Sequence, residues 1–332
     1  MRILLFVGCF FLLSCKNKKT PDVSQIKVEL KTLRFEKDFF RIDTNNIEAS
    51  FNQLHTQYGS FLQDYLVNIL ALPEQPDSAT MMLSRFIRDY SPIYQESKKI
   101  FPDLKNEEHQ IKYSFQLTKH YFPQYQLPSQ LITFVGPVEG YSTVLTQQGV
   151  AIGLQQYLGK DFPLYQSSYV REIYPAYQSR RFDREYIPVN VMKNLIEDIF
   201  PSPSKRTPLV EIMVEQGKRL YLLQQLMPET ADTLLTGYTE KQLKGCYDNE
   251  GMIWNFFIQN DLLYQSDPFL IRDYISDGPK TAALGEASPG NIAQFVGWQI
   301  VKKYLEKKEA TPEQLMRTSA KQIFSEAKYK PR

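Results

Sequence analysis

Two consecutive stretches decide the fold: IPVNVMKNLIEDIF at residues 187–200 and LVEIMVEQGKRLYLLQQLM at residues 209–227. Apolar residues recur in both at every third or fourth position, the period that places side chains on one face of an α-helix. The break between them contains Pro201, Pro203 and Pro208, and a proline inside a helix removes a hydrogen bond and clashes with the preceding turn. The pattern therefore predicts two buried helices, one on each side of the break, that form a platform for the other elements.

The rest of the sequence predicts an α+β protein in which helices predominate. Short β-prone runs between residues 131 and 154 are separated by Gly136, Gly140 and Gly149. They predict a small β-meander of about three strands, with residues 28–35 as an added edge strand. A helix break is expected at Ser91-Pro92. Helical spacing of apolar residues predicts further helices at 47–72, 78–89, 106–120, 229–236, 240–245 and 311–328, and one that starts at Ser288-Pro289-Gly290.

The N-terminus has the features of a bacterial lipoprotein precursor. Residues 1–14 contain one charge, Arg2, and an apolar run too short to span a bilayer, which is typical of a signal peptide. The run ends in Leu12-Leu13-Ser14-Cys15, the spacing of a lipobox, so Cys15 is the predicted site of lipid attachment. The predicted domains are a signal peptide at 1–14, the lipidated Cys15 with a polar tether at 15–25, and one globular domain at 26–332 with a lobe of helices and sheet at 26–160 and a helical lobe at 161–332.

Composition excludes some classes of partner. A formal net charge of +2 gives no field strong enough to favour nucleic acid. Of the three cysteines, Cys9 lies in the predicted signal peptide and Cys15 is the predicted lipidation site, which leaves Cys246 without a disulfide partner. No later stretch is apolar enough to span a membrane. The predicted membrane contact is therefore the lipid anchor.

Familiar catalytic motifs are missing from the sequence. His55, His109 and His120 never stand four positions apart, so the zinc-binding pattern H-E-x-x-H is absent, as are a phosphate loop and a G-x-S-x-G elbow. Glu211 and Glu215 share a helix face at a spacing of four. They allow either a carboxylate pair with one raised pKa or an ordinary ion pair with a neighbouring Lys or Arg. The sequence predicts no catalytic residue, no metal ligand and no cofactor.

A segment rich in tyrosine and arginine precedes the helix pair. The residues are Tyr165, Tyr169, Tyr174, Tyr177 and Tyr186, with Arg171, Arg180, Arg181 and Arg184 among them. They allow two interpretations. Either they line a cleft for a polar chain such as a glycan or a peptide, or the tyrosines cover the edge of the core while the arginines stay hydrated.

Several motifs along the chain resemble one known family. They are the lipobox, RFEKDFF at 34–40, FPQYQLP at 122–128, EIMVEQGKRLYLLQQLMP at 211–228 and DGPKTAALGEASPGNIAQFVGWQIVKKYL at 277–305. Together they resemble the gliding-motility lipoprotein GldB family of the Bacteroidota over essentially the whole chain. The resemblance implies a lipoprotein of the inner or outer membrane that faces the periplasm. It also implies that the protein is required for gliding and works with other envelope proteins of the gliding and type IX secretion machinery.

The same family is distantly similar to zincin-like metallopeptidases, in which H-E-x-x-H on one helix and a residue of the next helix bind zinc. That similarity implies a zincin-like helix pair and a vestigial site made of Glu211, Glu215, Gln216, Gly217 and Tyr221. The histidine positions align with one of two apolar pairs, Met192 and Ile196 or Val210 and Val214. We therefore expect a non-catalytic lipoprotein; the alternatives are a metallohydrolase with unconventional ligands and a glycan- or peptide-binding lipoprotein.

Overall fold

A small mixed β-sheet lies in the N-terminal half of the chain. The computed structural model describes residues 20–44, 46–202 and 206–331. Within them the sheet has the strand order β1-β2-β4-β3, with β1, β2 and β4 parallel to one another and β3 antiparallel to β4. The strands are β1 (Lys31–Arg34), β2 (Gln130–Phe134), β3 (Thr143–Leu145) and β4 (Val150–Gly153).

The predicted β-meander is wrong, because β4 lies between β2 and β3 and runs parallel to β2. Every residue of β4 is buried, as is typical of a central parallel strand covered on both faces. Gly149 permits the close approach of the two strands, since a Cβ there would lie 2.3 Å from the carbonyl oxygen of Gln130. The predicted edge strand is confirmed in its second half, where Lys31–Arg34 pairs with β2.

Helices predominate in the described residues, which confirms the predicted balance of helix and strand. A π-helical turn at Tyr65–Ile69 follows α3 directly. The helices are α1 (Phe35–Phe39), α2 (Ile47–Tyr58), α3 (Ser60–Asp64), α4 (Pro76–Ile100), α5 (Lys105–Tyr121), α6 (Ser168–Ile173), α7 (Ala176–Ser179), α8 (Tyr186–Ile199), α9 (Leu209–Leu226), α10 (Asp232–Thr236), α11 (Glu240–Asp248), α12 (Glu250–Gln259), α13 (Pro268–Ile275), α14 (Ile292–Lys307), α15 (Pro312–Arg317) and α16 (Ala320–Ala327).

Several predicted helix boundaries differ from the structure, and three of the differences are large. The helix predicted at 47–72 breaks at Gly59, whose φ of 55° ends α2. In contrast, α4 continues through Pro92, because Ile93 and Tyr94 are buried directly after it and their packing offsets the lost hydrogen bond. The helix predicted at 311–328 is divided into α15 and α16. Ser319 caps α16 by accepting a hydrogen bond from the main-chain amide of Gln322.

The predicted polar tether ends earlier than residue 25. Val23 is buried in the core, and the side-chain amide of Gln116 donates to the carbonyl oxygen of Ile26 at 2.8 Å. The chain is therefore attached to the folded body from Val23 onward. The predicted signal peptide and Cys15 lie outside the described residues.

Buried apolar side chains form two clusters. The larger extends from Val23 to Tyr329 and contains the apolar faces of α8, α9 and α14. The smaller packs α1, α2 and α3 on the sheet. Phe35 lies at its centre, with ring centroids 5.0 Å from Tyr58 and 4.7 Å from Tyr65. The division into lobes at residue 160 stays a prediction.

The helix pair predicted from the two apolar stretches is confirmed as α8 and α9. Pro201 and Pro208 lie in the break between them, and Pro203 is outside the described residues. The apolar stripe of each helix is buried, with Leu195 on α8 and Met213 on α9 fully enclosed. Both helices thus belong to the core, as their periodicity indicates.

A third helix, α14, packs along α9 with its backbone in direct contact. A Cβ on Gly297 of α14 would lie 1.6 Å from the carbonyl oxygen of Met213, and a Cβ on Gly217 of α9 would lie 2.1 Å from the carbonyl carbon of Gly297. Two helix backbones can approach this closely only where both residues at the contact are glycine. The α9–α14 contact therefore fixes the position of the segment at the start of α14, which carries Asn291.

Candidate functional site

Glu215 is held in an ion-pair network. Its Oε1 accepts from Nζ of Lys218 at 2.9 Å and its Oε2 accepts from Nη1 of Arg219 at 3.1 Å. Lys218 is only 3% exposed and also donates to the carbonyl oxygen of Thr318 at 2.9 Å. Burial lowers the pKa of Lys218, whereas its hydrogen bond to Glu215 raises it. Glu215 therefore forms an ordinary ion pair with its basic neighbours and not a carboxylate pair with Glu211.

The other residues implied as a vestigial site point in different directions. Gly217 is covered by α14. Glu211 is half-buried, and its side chain has no hydrogen-bond or ion-pair partner among the described residues. Tyr221 is half-buried near Tyr121, and burial raises its pKa. Gln216 lines a cavity. The five residues therefore do not converge on one point.

Both pairs of residues that align with the histidines of a zinc-binding helix lie in the core. Met192, Ile196, Val210 and Val214 are all buried. Among residues 20–44, 46–202 and 206–331, no group of three or more His, Cys, Asp and Glu side chains could hold a metal ion. The similarity to zincin-like metallopeptidases stays a prediction.

The polar face of α8 lines a cleft. Lys193 lies on this face and borders three adjoining cavities of about 290, 240 and 200 Å³. Gln216 and Arg219 of α9 line the second cavity, and Asn291 lines the second and the third. We call these three cavities the Lys193 cleft. It combines a polar lining with half-buried aromatic side chains, as ligand sites commonly do.

Part of the segment rich in Tyr and Arg belongs to this cleft and part to the core. Tyr165 is fully buried and donates to the carbonyl oxygen of Gln155 at 2.6 Å. Arg184 pairs with Glu107 at 2.7 Å beside a separate cavity of about 590 Å³, so the two charges offset each other there. The members that line the Lys193 cleft are Tyr174, Tyr177, Arg180, Arg181 and Tyr186. The segment therefore lies partly in the lining of a cleft and partly in the core, and the binding of a polar chain in that cleft stays a prediction.

The cations of the cleft differ in how far they are neutralised. Arg181 pairs with Asp277, and Arg219 pairs with Glu215 and Glu197. Arg180 donates to the carbonyl oxygen of Gly237, which carries no charge. The side chain of Lys193, an exposed residue, makes no hydrogen bond or ion pair with any residue in the described ranges.

The surroundings of Lys193 perturb its amine. Desolvation by the cleft walls, reinforced by Arg181 and opposed by Asp277, lowers the pKa of Lys193 to about 8. At neutral pH the amine is therefore still mostly protonated. The cleft thus contains a cation that no neighbouring carboxylate neutralises by direct contact.

Two amide oxygens of the cleft have no donor. The Oε1 of Gln216 and the Oδ1 of Asn291 are buried and accept no hydrogen bond in the described part of the protein. The amide nitrogen of Gln216 is anchored on the carbonyl oxygen of Ile275 at 3.3 Å, and Gln294 donates to the carbonyl oxygen of Thr236 at 3.0 Å. Buried acceptors without donors are uncommon in native proteins. The cleft therefore contains two acceptors that the described part of the protein leaves unsatisfied.

Sequence reasoning missed Lys193, Asn291 and Gln294. The positions that align with zinc-binding histidines lie on the apolar face of α8, whereas the cleft lies on the opposite face. The polar residues Asn190, Lys193 and Glu197 recur on that face at intervals of three and four, and this pattern is visible in the sequence. Their convergence with Asn291 depends on the α9–α14 contact and could not be seen in advance.

By its fold and its site, the chain is a predominantly helical α+β protein with a polar cleft beside a buried helix pair. It belongs to the family described as gliding motility protein GldB, whose model matches residues 16–331. No curated protein and no solved structure matches the chain. This match confirms the resemblance to the GldB family that the sequence motifs indicated. Family membership implies a role in gliding motility.

The structure also addresses how the protein could meet a membrane. None of the helices in the described residues is long and apolar enough to cross one. Membership of a lipoprotein family of the gliding machinery indicates the cell envelope as its location.

Proposed function

We propose that this protein is a non-catalytic lipoprotein of the gliding machinery, anchored to a membrane through Cys15 and facing the periplasm. The family match over residues 16–331 carries the proposal. Its partners are envelope proteins of the gliding and type IX secretion apparatus. The anchor supplies the membrane contact, and the folded body supplies the surface for those partners.

The helix pair supports a role without catalysis. The two alignments with a zinc-binding helix fall on side chains such as Met192 and Val214, which are fully buried. Burial of an apolar side chain of this size contributes about 1.5–3 kcal/mol to folding. Glu215 is occupied by Lys218 and Arg219, and Gly217 by α14. In this arrangement the platform is stabilising core.

Complementation of a strain that lacks its own copy tests the proposal. The wild-type chain should restore gliding, and so should the double variant Glu211→Gln/Glu215→Gln, in which both carboxylate charges are removed. Full-length protein purified in detergent should contain no stoichiometric zinc. A folded double variant that fails to restore gliding, or zinc that is lost on Glu215→Ala, would favour the metallohydrolase and overturn the proposal.

A further inference from the structure

We propose that the Lys193 cleft binds an acidic glycan, a sugar chain that carries carboxylate groups. This goes beyond the role in gliding, because it assigns a ligand to a cleft that the proposed function does not use. The proposed ligand does not depend on whether the protein acts in the gliding motor or in its assembly. Charge, unpaired acceptors and aromatic surfaces each contribute one part of the argument.

The cleft has an excess of positive charge, which an anionic ligand would neutralise. The two carboxylates that line the cleft, Glu197 and Asp277, pair with Arg219 and Arg181 respectively. Arg180 and Lys193 then lack a carboxylate partner among the described residues. A ligand carboxylate beside Lys193 would neutralise a cation in partly desolvated surroundings, where electrostatic attraction is stronger than in bulk water.

The start of α14 adds to the attraction for an anion. This helix begins beside the cleft, and its N-cap residue Asn291 makes no capping hydrogen bond with its side chain. No acidic residue occupies its first turn. The positive end of the helix dipole therefore faces the cleft without a negative charge from the protein to offset it.

The unpaired amide oxygens require donors as well. Gln216 and Asn291 offer buried acceptors with no donor in the described protein, and a carboxylate cannot supply a hydrogen. A ligand that satisfies both needs must combine an anionic group with O–H or N–H groups. A uronate chain does so at every residue, since each sugar carries one carboxylate and several hydroxyls. The other amides around the cleft suit hydroxyls, because both groups donate and accept.

Aromatic side chains favour a sugar over a peptide. Tyr174, Tyr177, Phe182 and Tyr186 are half-buried and line the first and third cavities. Flat apolar ring faces next to polar groups match the mixed surface of a sugar ring, which has C–H groups on its faces and hydroxyls at its edge. Lys193 borders all three cavities instead of closing one end. This position suits a carboxylate in the middle of a chain.

Calorimetric titration of the full-length protein in detergent tests the proposal. The probes are oligogalacturonate, a neutral maltooligosaccharide of the same length, and oligoglutamate as an acidic peptide. We expect oligogalacturonate to bind most tightly. Lys193→Gln should weaken its binding roughly tenfold or more, the usual consequence of losing one charged hydrogen bond. Lys99→Gln is the matched control, because Lys99 is an exposed lysine on α4 whose partner is Glu96, and it should bind as the wild type does.

A second variant separates ligand binding from folding. Gln216→Met keeps the length of the side chain but removes the unpaired oxygen together with the 3.3 Å hydrogen bond from the amide nitrogen to the carbonyl oxygen of Ile275. These two losses act on stability in opposite directions, so the urea midpoint should change little, while oligogalacturonate binding weakens. A residue with a merely structural role would lower both together.

The pH dependence provides an independent check. Binding should weaken as the pH rises from 7 to 9, because Lys193 loses its proton near pH 8. The other charged groups that line the cleft with Lys193 are Arg180, Arg181, Arg219, Glu197 and Asp277. The Lys193→Gln variant should show a flat profile.

Several outcomes would overturn the proposal. They are equal binding by the wild type and Lys193→Gln, a preference for oligoglutamate over oligogalacturonate, and binding of neither probe. The second of these would make the cleft a peptide site. None of them would affect the role in gliding, which the complementation test examines separately.

Discussion

Replacing Gly297 with alanine should separate α9 from α14 and destabilise the whole protein. The new Cβ would lie 1.6 Å from the carbonyl oxygen of Met213, and ordinary contact begins near 3.4 Å, so the backbones would have to open by about 1.8 Å. The atom in the way belongs to a helix backbone and cannot rotate aside. Relief therefore requires movement of an entire helix within a close-packed core.

The expected change in stability is the difference between two effects. Alanine is favoured over glycine inside a helix by about 1 kcal/mol. Overpacking of a well-packed core costs about 1–3 kcal/mol, and a backbone clash lies at or beyond the upper end of that range. We therefore expect Gly297→Ala to reduce the free energy of unfolding by about 2 kcal/mol or more. Binding in the Lys193 cleft should weaken too, because Asn291 moves with α14.

Urea unfolding followed by circular dichroism provides the measurement. Gly245→Ala is the matched control. Gly245 also lies inside a helix, α11, but the nearest atom to an added Cβ is the carbonyl oxygen of Ala287 at 3.8 Å. This variant should gain about 0.5–1 kcal/mol from helix propensity alone. If Gly297→Ala were as stable as Gly245→Ala, α9 and α14 would not cross through their glycines and the argument would be refuted.

Three further predictions concern the helix pair and the anchor. Val214→Asp should unfold the protein, because it places an unpaired charge at a fully buried position; a soluble, folded variant would contradict this. Glu215→Gln should lower the free energy of unfolding by about 1–3 kcal/mol, since it leaves buried Lys218 without its counter-ion. Glu211→Gln should change it by less than about 0.5 kcal/mol, because the Glu211 side chain has no partner among the described residues. Cys15→Ala should abolish labelling by a palmitate analogue and leave the protein uncleaved or released from the membrane; labelling that persists would exclude Cys15 as the anchor.

The sequence predicted the helical elements well where local pattern determines them. The apolar period and the flanking prolines located α8 and α9, and α5 matches the helix predicted at 106–120. Local pattern failed at Gly59 and Pro92. At Gly59 a positive φ ends α2, although the apolar period of the sequence continues. At Pro92 the helix continues because tertiary packing offsets the backbone hydrogen bond that proline cannot make.

Sheet order was beyond local reasoning for a different reason. The runs that form β2, β3 and β4 were identified in the sequence, but β4 pairs with both of the others. Nothing in a strand's own residues states which neighbour lies beside it. The clue was Gly149, where the backbone of Gln130 approaches too closely for any side chain.

By itself the sequence determined the family, the predominance of helix, the predicted anchor at Cys15 and the buried stripe of each platform helix. These properties depend on residue type and spacing along a short stretch. The tertiary structure alone decided that Gly217 is a packing residue, that Glu215 is neutralised by its neighbours, and that Lys193 meets Arg181 and Asn291 in one cleft. The physical reason is that a helical period shows which face is apolar, whereas the partners of the polar face come from distant parts of the chain, brought together only when α9 and α14 pack.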